Sequence, residues 1–387
     1  MPFASALSVH PVATTAAGEV IGQVLDAVGP RPDLAILFVT APVVGAFSDL
    51  CATVRTLVEP SMFLGVTASG VLCDGVGVED QAAVVLWTAR FDKPIASFGF
   101  HLRARGVDSV DGLGALVESL STDQDTWLLV FADPYSFPID SFFSQLCDIR
   151  PRTRVIGGLA SAARGPGGNR LALGDLIVDS GALAVPIAFP SATVVAHGCR
   201  PIGTPWMVTR SERNVVYELG GQPALDRLMA VVDGLNPDDR ILASRGLHCG
   251  IVVNEHQLDF ARGDFLIRAV LGADKTNGAV ALGAEVAVGS TVQFQVRDPA
   301  TAGDDLAEQL LGRSADGVLV FTCTGRGSAM FGNPHHDAVI IDDVLQCAGP
   351  RRPSVAGMFS AGEFGPVGQR NALHGFTASL ALFNDSP

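Results

Sequence analysis

The sequence lacks most of the features that mark a protein class at a glance. Its seven cysteines include no CxxC pair, and Cys51 and Cys73 are the two nearest to each other. That spacing argues against a cysteine-rich zinc site or a disulfide framework, and free thiols in a reducing cytoplasm are the expectation. Charged residues make up only 17% and aromatic residues 7%. There is no basic stripe, and a net charge of −14 repels a phosphate backbone, so nucleic-acid binding is excluded. The longest apolar candidate for a membrane span, Gly181 to Gly198, is broken by Pro186 and Pro190 and reads as two strands. The opening MPFASALSVHP has neither a basic stretch nor a continuous apolar run, so no secretory signal is read. A P-loop is missing and no G-x-G-x-x-G follows a strand, which leaves nucleotide binding without a motif.

What the 387 residues do contain is a large core and many turns: 48% are apolar, and there are 43 glycines and 23 prolines. The length suits two or three domains. Three segments share one plan of strand, helix, strand, Gly/Ala/Ser turn and further strands. The first runs from Leu34–Pro42 through a helix at Ser48–Val58 to MFLGVTASG, AAVVLWTARF and IASFGFHL. The second runs from Trp127–Pro134 through a helix at Ser141–Cys147 to VIGGLASA, RLALGDLIVDS and ALAVPIAF. In both, one spacing separates the first strand from the glycine of the second, Val39 to Gly65 and Phe131 to Gly157. The third runs from Gly317–Gly325 to VAGMFSAGE and ALHGFTASLALF, with a longer interval from Phe321 to Gly357 that holds extra residues around Met330–His336.

Short runs of Val, Leu, Ile and Phe bounded by Gly, Ser and Asp read as buried strands. The expected fold is therefore α/β with mixed sheets: repeated strand–helix–strand–strand units forming two mixed sheets with outer helices, a four-layer αββα stack being one option. An amphipathic helix is expected at Val12–Val28. A different region follows a boundary near Gly220, with a helix at Gln222–Leu235, strands at Cys249–Asn254, Phe265–Leu271 and Thr291–Arg297, and a helix at Ala300–Leu311.

The densest polar chemistry lies in the C-terminal third, at strand ends where loops carry function on a rigid scaffold. The turn Thr322-Cys323-Thr324-Gly325-Arg326-Gly327 offers backbone N–H groups that can nest an anion beside a planar guanidinium fork, a combination suited to a carboxylate. Glu363, between glycines after an apolar strand, could accept from an ammonium group or from His374. Cys323, His374 and Glu363 have the chemistry of a nucleophile, base and orienting acid. Cys323, however, falls in an apolar strand run, and the elbow G-x-S-x-G is missed at Ser360, so the chain is read as a non-enzyme. The clusters His335-His336-Asp337 and His248-Cys249 with His256 do not have metal-ligand spacing, and no metal is expected.

At these residues the chain resembles the FIST family, over nearly its whole length. FASALSVHP, GVTASGVLCDGVGVED and AHGCRPIGTPWMVTRSERNVVYELGGQPAL look like the N-terminal FIST module, placed at 31–220 after an N-terminal helix at 1–30. FTCTGRGSAMFG, HHDA and GMFSAGEFGPVGQRNALHGFTASLALF look like the C-terminal module, placed at 221–387. The resemblance implies a small-ligand sensor, binding an amino acid or other small carboxylate and signalling through a separate partner, with no F-box attached and no membrane insertion. On that reading Arg326 with Gly325 and Gly327 holds the carboxylate and Glu363 the ammonium, while Ser69, Asn371 and His374 complete the site. The alternatives are an interaction scaffold and a noncovalent haem protein sensing nitric oxide, with His197, His336 or His374 as axial ligand.

Overall fold

The computed structural model describes residues 2–91, 98–106, 109–120, 125–187, 190–257, 259–349 and 351–384. Two compact units emerge. The first comprises Met1–Val195, Leu306–Leu373 and Thr377–Pro387, and the second comprises Ala196–Asp305 with His374–Phe376. The second unit is inserted in the chain of the first between Val195 and Leu306.

The first unit is built from three copies of one motif. Each has two parallel strands joined by a helix: β1 (Leu34–Thr40), α1 (Phe47–Val58) and β2 (Met62–Ala68); β3 (Thr126–Ala132), α2 (Ile139–Ile149) and β4 (Thr153–Leu159); β5 (Gly317–Cys323), α3 (His336–Ala348) and β6 (Ser354–Ser360). β1, β2 and β5 are buried at every residue, which explains why they read as continuous apolar runs rather than alternating ones. α1 buries Phe47, Leu50, Cys51, Val54 and Val58, a single helical stripe. By length and composition Ala41–Val58 is apolar enough to cross a membrane; in the fold its stripe packs with Leu37, Val39 and Phe63.

Each strand pair carries a returning antiparallel strand on one side: Val84–Ala89 on β1, Ala182–Ile187 on β3 and Thr377–Phe383 on β5. On the other side the sheet is completed by a hairpin from a different repeat. Gly70–Cys73, which leads straight out of β2, pairs with β6. Leu171–Leu173, after β4, pairs with β2. Glu363–Val367, after β6, pairs with β4. The exchange is cyclic, so the unit has three sheets where the sequence pattern suggests two, although the mixed α/β class and the repetition are as read. The stretch RLALGDLIVDS is itself one of these hairpins, Leu171–Leu173 with Leu176–Val178. Residues 95–97 and 188–189, expected in strands, lie outside the described residues.

The inner faces of the three sheets share one core, which includes Ile36, Phe38, Leu64, Leu129, Phe131, Ile156, Leu319, Phe321 and Met358. Register fixes the equivalent positions, since Leu37 faces Gly65, Val130 faces Gly157 and Val320 faces Gly357. The matching residues are therefore Phe38, Phe131 and Phe321, not Val39, which one residue along points to the helices. Their rings meet: Phe131 lies 6.1 Å from Phe38 and 5.9 Å from Phe321 by centroid.

The second unit is antiparallel. Its strands include Trp206–Glu212, Val215–Leu219, Leu247–Val252, Phe265–Asp274, Ala279–Leu282 and Thr291–Arg297, and the pairing of the last with Leu247–Val252 closes the sheet on itself. The helix expected at Gln222–Leu235 runs from Ala224 to Asp233.

Because Phe131 touches both of its counterparts, Phe131→Ala opens a cavity shared by all three sheets. It is expected to destabilise the protein by about 3–5 kcal/mol, and Phe131→Leu by clearly less, in urea unfolding. A loss below about 1 kcal/mol for the alanine variant would contradict a common core.

Candidate functional site

The repeats diverge at the carboxyl ends of their parallel strands, the end at which open α/β sheets bind ligands. Val66, Gly158 and Met358 each follow the matched glycine, and their hairpin partners are Leu171, Glu363 and Val71. Leu171 and Val71 belong to the shared core. Glu363 thus occupies a core position and is fully buried. Two more inward positions change with it. Ser360 replaces Ala68 and Ala160, and Thr377 replaces Ala83 and Gly181. The third repeat has lined its end of the core with polar groups.

Those groups satisfy one another. Ser360 donates its hydroxyl to Glu363 Oε1 at 3.0 Å, and Thr377 donates its hydroxyl to Oε2 at 2.8 Å, with its backbone N–H at 3.3 Å. Gly158 makes room: a Cβ there would sit 2.9 Å from Ser360 Cβ. Burial pushes the Glu363 carboxyl up from 4.5 to about 8 despite these bonds and the nearby Arg326 charge, so it holds its proton at neutral pH, and in that form the Ser360 hydroxyl beside Oε1 turns to accept it.

Arg326 is also fully buried, with its guanidinium forked onto Asp337: Nε to Oδ2 and Nη2 to Oδ1, both 2.8 Å. Thr322, at the position of Val39 and Ala132, donates to Asp337 Oδ2 at 2.5 Å. His336 Nδ1 lies 3.0 Å from Oδ1, and its ring stacks on Phe331 at 3.5 Å. Burial alone would lift the Asp337 carboxyl. Arg326 and these hydrogen bonds outweigh it and hold the group well below the usual carboxylate range. The residue read as an open carboxylate clamp is therefore committed to an internal carboxylate.

The backbone nest has a carboxylate as well, again the protein's own. Glu79, from the hairpin of the first repeat, accepts from the Ser328 N–H at 2.7 Å and the Ser328 hydroxyl at 2.8 Å. A Cβ on Gly327 would lie 2.2 Å from Glu79 Oε1, so only glycine admits this approach. Above the buried cluster the surface is small and polar. Gly325, Ser69 and Ser161 are half-buried, and Thr324 and Ala361 are exposed. Ser161 donates to the Phe359 carbonyl at 2.5 Å and accepts the Ser69 N–H at 2.9 Å. The crossing segments also bond around the ring, Ser161 N–H to Thr67 O and Ala361 N–H to Leu159 O.

Of the residues expected in a ligand site, Ser69, Gly325, Arg326, Gly327 and Glu363 come together here. Asn371 does not. It donates to the Thr153 carbonyl at 2.9 Å and accepts the Val155 N–H at 2.8 Å, bracing the opposite end of β4 from Gly158, roughly 16 Å away at strand rise. His374 belongs to the second unit, its buried ring 6.2 Å from His197. There, burial and the Arg297 charge push the His248 ring down to about 4, leaving it neutral. Of the histidines named as axial ligands for haem, His197 and His374 pack against each other and His336 is stacked on Phe331. Among the described residues no group of three or more His, Cys, Asp or Glu could hold a metal. His335 accepts the Gly77 N–H while its neighbour His336 turns to Asp337. Cys323 is buried and accepts the Gly325 N–H at 3.4 Å.

Thr322, Ser360 and Thr377 stand in the polar strand-end stretches of the sequence without a role assigned to them, whereas Asp337, Glu79 and Ser161 were missed as members of this cluster. Ser161 was within reach, because the turn shared by the repeats sets it opposite Ser69.

Comparison with known proteins gives matches to two family models: the FIST N domain over residues 33–222 and the FIST C domain over residues 224–366. The chain is 44% identical over 369 residues to the uncharacterized protein Rv0628c of Mycobacterium tuberculosis, covering 92% of each. It is 41% identical over 388 residues to the uncharacterized protein Mb0898c of Mycobacterium bovis, covering 97% of each.

Removing one member of a buried ion pair strands the other. Arg326→Ala is expected to destabilise the fold by about 3–5 kcal/mol in chemical denaturation; a change within about 1 kcal/mol would contradict a closed pair. Glu363 carries the opposite sign of pH dependence from a salt-bridged acid. The unfolded chain releases its proton near 4.5 while the folded one keeps it to about 8, so this group's contribution to stability falls as pH rises across that window. Glu363→Gln is therefore expected to gain on wild type between pH 5 and pH 8, by on the order of a few kcal/mol. Parallel pH profiles for the two proteins would contradict it.

Proposed function

Because the chain belongs to the FIST family of signal-transduction sensors, we propose that it is a non-catalytic sensory protein that binds an amino acid or another small carboxylate at the carboxyl end of the third repeat and signals through a separate partner. The observation that carries this reading is Glu363: a carboxyl placed where the other two repeats have Leu171 and Val71, kept neutral at pH 7 and close to the polar rim of Ser69, Ser161 and Gly325. No packing requirement explains an acid there, whereas recognition of a donor does.

Glu363 meets the ammonium end of the ligand. Pairing with an ammonium favours the carboxylate, so binding drives off the proton that the free protein holds. Arg326 acts one step back, fixing the turn Thr324–Gly327 through Asp337 while that turn faces the ligand's carboxylate. Turnover has little support, since the one candidate nucleophile, Cys323, lies in a buried strand end. Seven free cysteines suit a reducing compartment, in keeping with action in the cytoplasm.

Calorimetry with a panel of amino acids, in buffers of different ionisation enthalpy, tests the reading. Wild type is expected to release close to one proton per ligand at pH 7 and to bind about tenfold more tightly at pH 8 than at pH 6.5. Glu363→Gln is expected to weaken binding at least tenfold and to flatten the pH dependence. Equal affinity in the variant would remove Glu363 from recognition. A matched carboxylate without the amine that binds as well, and better at low pH, would turn the reading towards the neutral acid as a donor to carboxylates.

A further inference from the structure

A second place in the first unit is shaped for a small molecule, remote from the chemistry above. A cleft of about 490 Å³ opens beside the start of β2, a volume in the range of small-ligand pockets. Its walls come from two repeats. α1 and β2 supply Arg55, Met62 and Phe63, while the hairpin that completes their sheet supplies Leu173, and Phe98 and Gly99 close one side. Met62 and Phe63 lie almost wholly buried behind the wall, and Leu173 and Phe98 are its more exposed apolar members. Phe98 is 46% exposed, a large ring held in water at the rim with its edge against Phe100. At Gly99 the backbone runs against the wall: a Cβ would lie 2.8 Å from both Leu173 and Val185.

The cation of this cleft is Arg55, in the last turn of α1. Its guanidinium pairs with Asp175, whose side chain is 89% exposed, so its partner is a solvated carboxylate free to swing into water. A ligand carboxylate that also buries an apolar body can displace such a partner, because it brings the same fork geometry together with desolvation.

We infer that this cleft is a binding site for an amphipathic carboxylate: a flat aromatic or branched apolar group seated against Leu173 and Phe98 beside Met62, with its carboxylate on Arg55 in place of Asp175. The site stands apart from the strand-end reading and does not depend on it.

Titration of phenylacetate into protein labelled at the methionine methyl groups, followed by NMR, tests the assignment. Saturable movement of the Met62 methyl is expected, while Met358, beside the buried cluster of the third repeat, stays still. Arg55→Gln is expected to weaken binding at least tenfold, and Asp175→Asn to strengthen it several-fold by removing the competing carboxylate. Neither is a core change, and matched melting temperatures confirm that both variants fold. No saturable shift at Met62, or equal affinity in Arg55→Gln, overturns the proposal. Movement of Met358 instead would place phenylacetate at the strand ends and overturn it too.

Discussion

The exchange of hairpins is the constraint on which the first unit rests. Each sheet lacks a strand until a neighbouring repeat provides it, so no repeat can bury its own parallel pair alone. The three inner faces then have nowhere to pack except against one another, and Phe38, Phe131 and Phe321 meet in a single core. The crossing that lets a hairpin leave its own sheet also brings the ends of β2, β4 and β6 together, where Ser161 and Ala361 bond to the segments next to them. Convergence of three strand ends is thus a by-product of assembly, available for use as a site.

One repeat differs there. Burying polar groups in a core is unfavourable unless they are paired, and the third repeat resolves this in two ways. Arg326 and Asp337 are both charged and cancel each other, with Thr322 and His336 meeting the remaining lone pairs. Glu363 is bonded to the neutral Ser360 and Thr377 and is itself neutral, its proton retained by burial. The buried cluster therefore carries almost no net charge. The turn beside it is held by Glu79 from another repeat. The negative charge of the whole chain says little about such a place, where local partners decide the field.

Much of this was legible in the sequence. Continuous apolar runs gave the parallel strands, the shared turn gave the repetition, and the polar strand ends drew attention to Arg326, Gly327 and Glu363. Two things were not. Matching Val39 with Phe131 was one residue out, and in a strand one residue reverses the face, so the inner core could not be read from spacing. Hairpin exchange was invisible because it pairs residues far apart in the chain; without it, nothing showed that Glu363 stands where Leu171 and Val71 stand, or that Asp337 and Glu79 would claim the arginine and the nest. Asn371 was misplaced for a related reason. Its hairpin reaches the far end of β4, and only the direction of the strand reveals that.

The central claim is that the first unit holds a protonated carboxyl in its core at neutral pH, and infrared difference spectroscopy reports it directly. Wild type at pH 7 is expected to show the C=O stretch of a neutral carboxylic acid that is missing from Glu363→Gln and disappears as the pH passes about 8. A Glu363 that is already ionised at pH 6 would contradict the account.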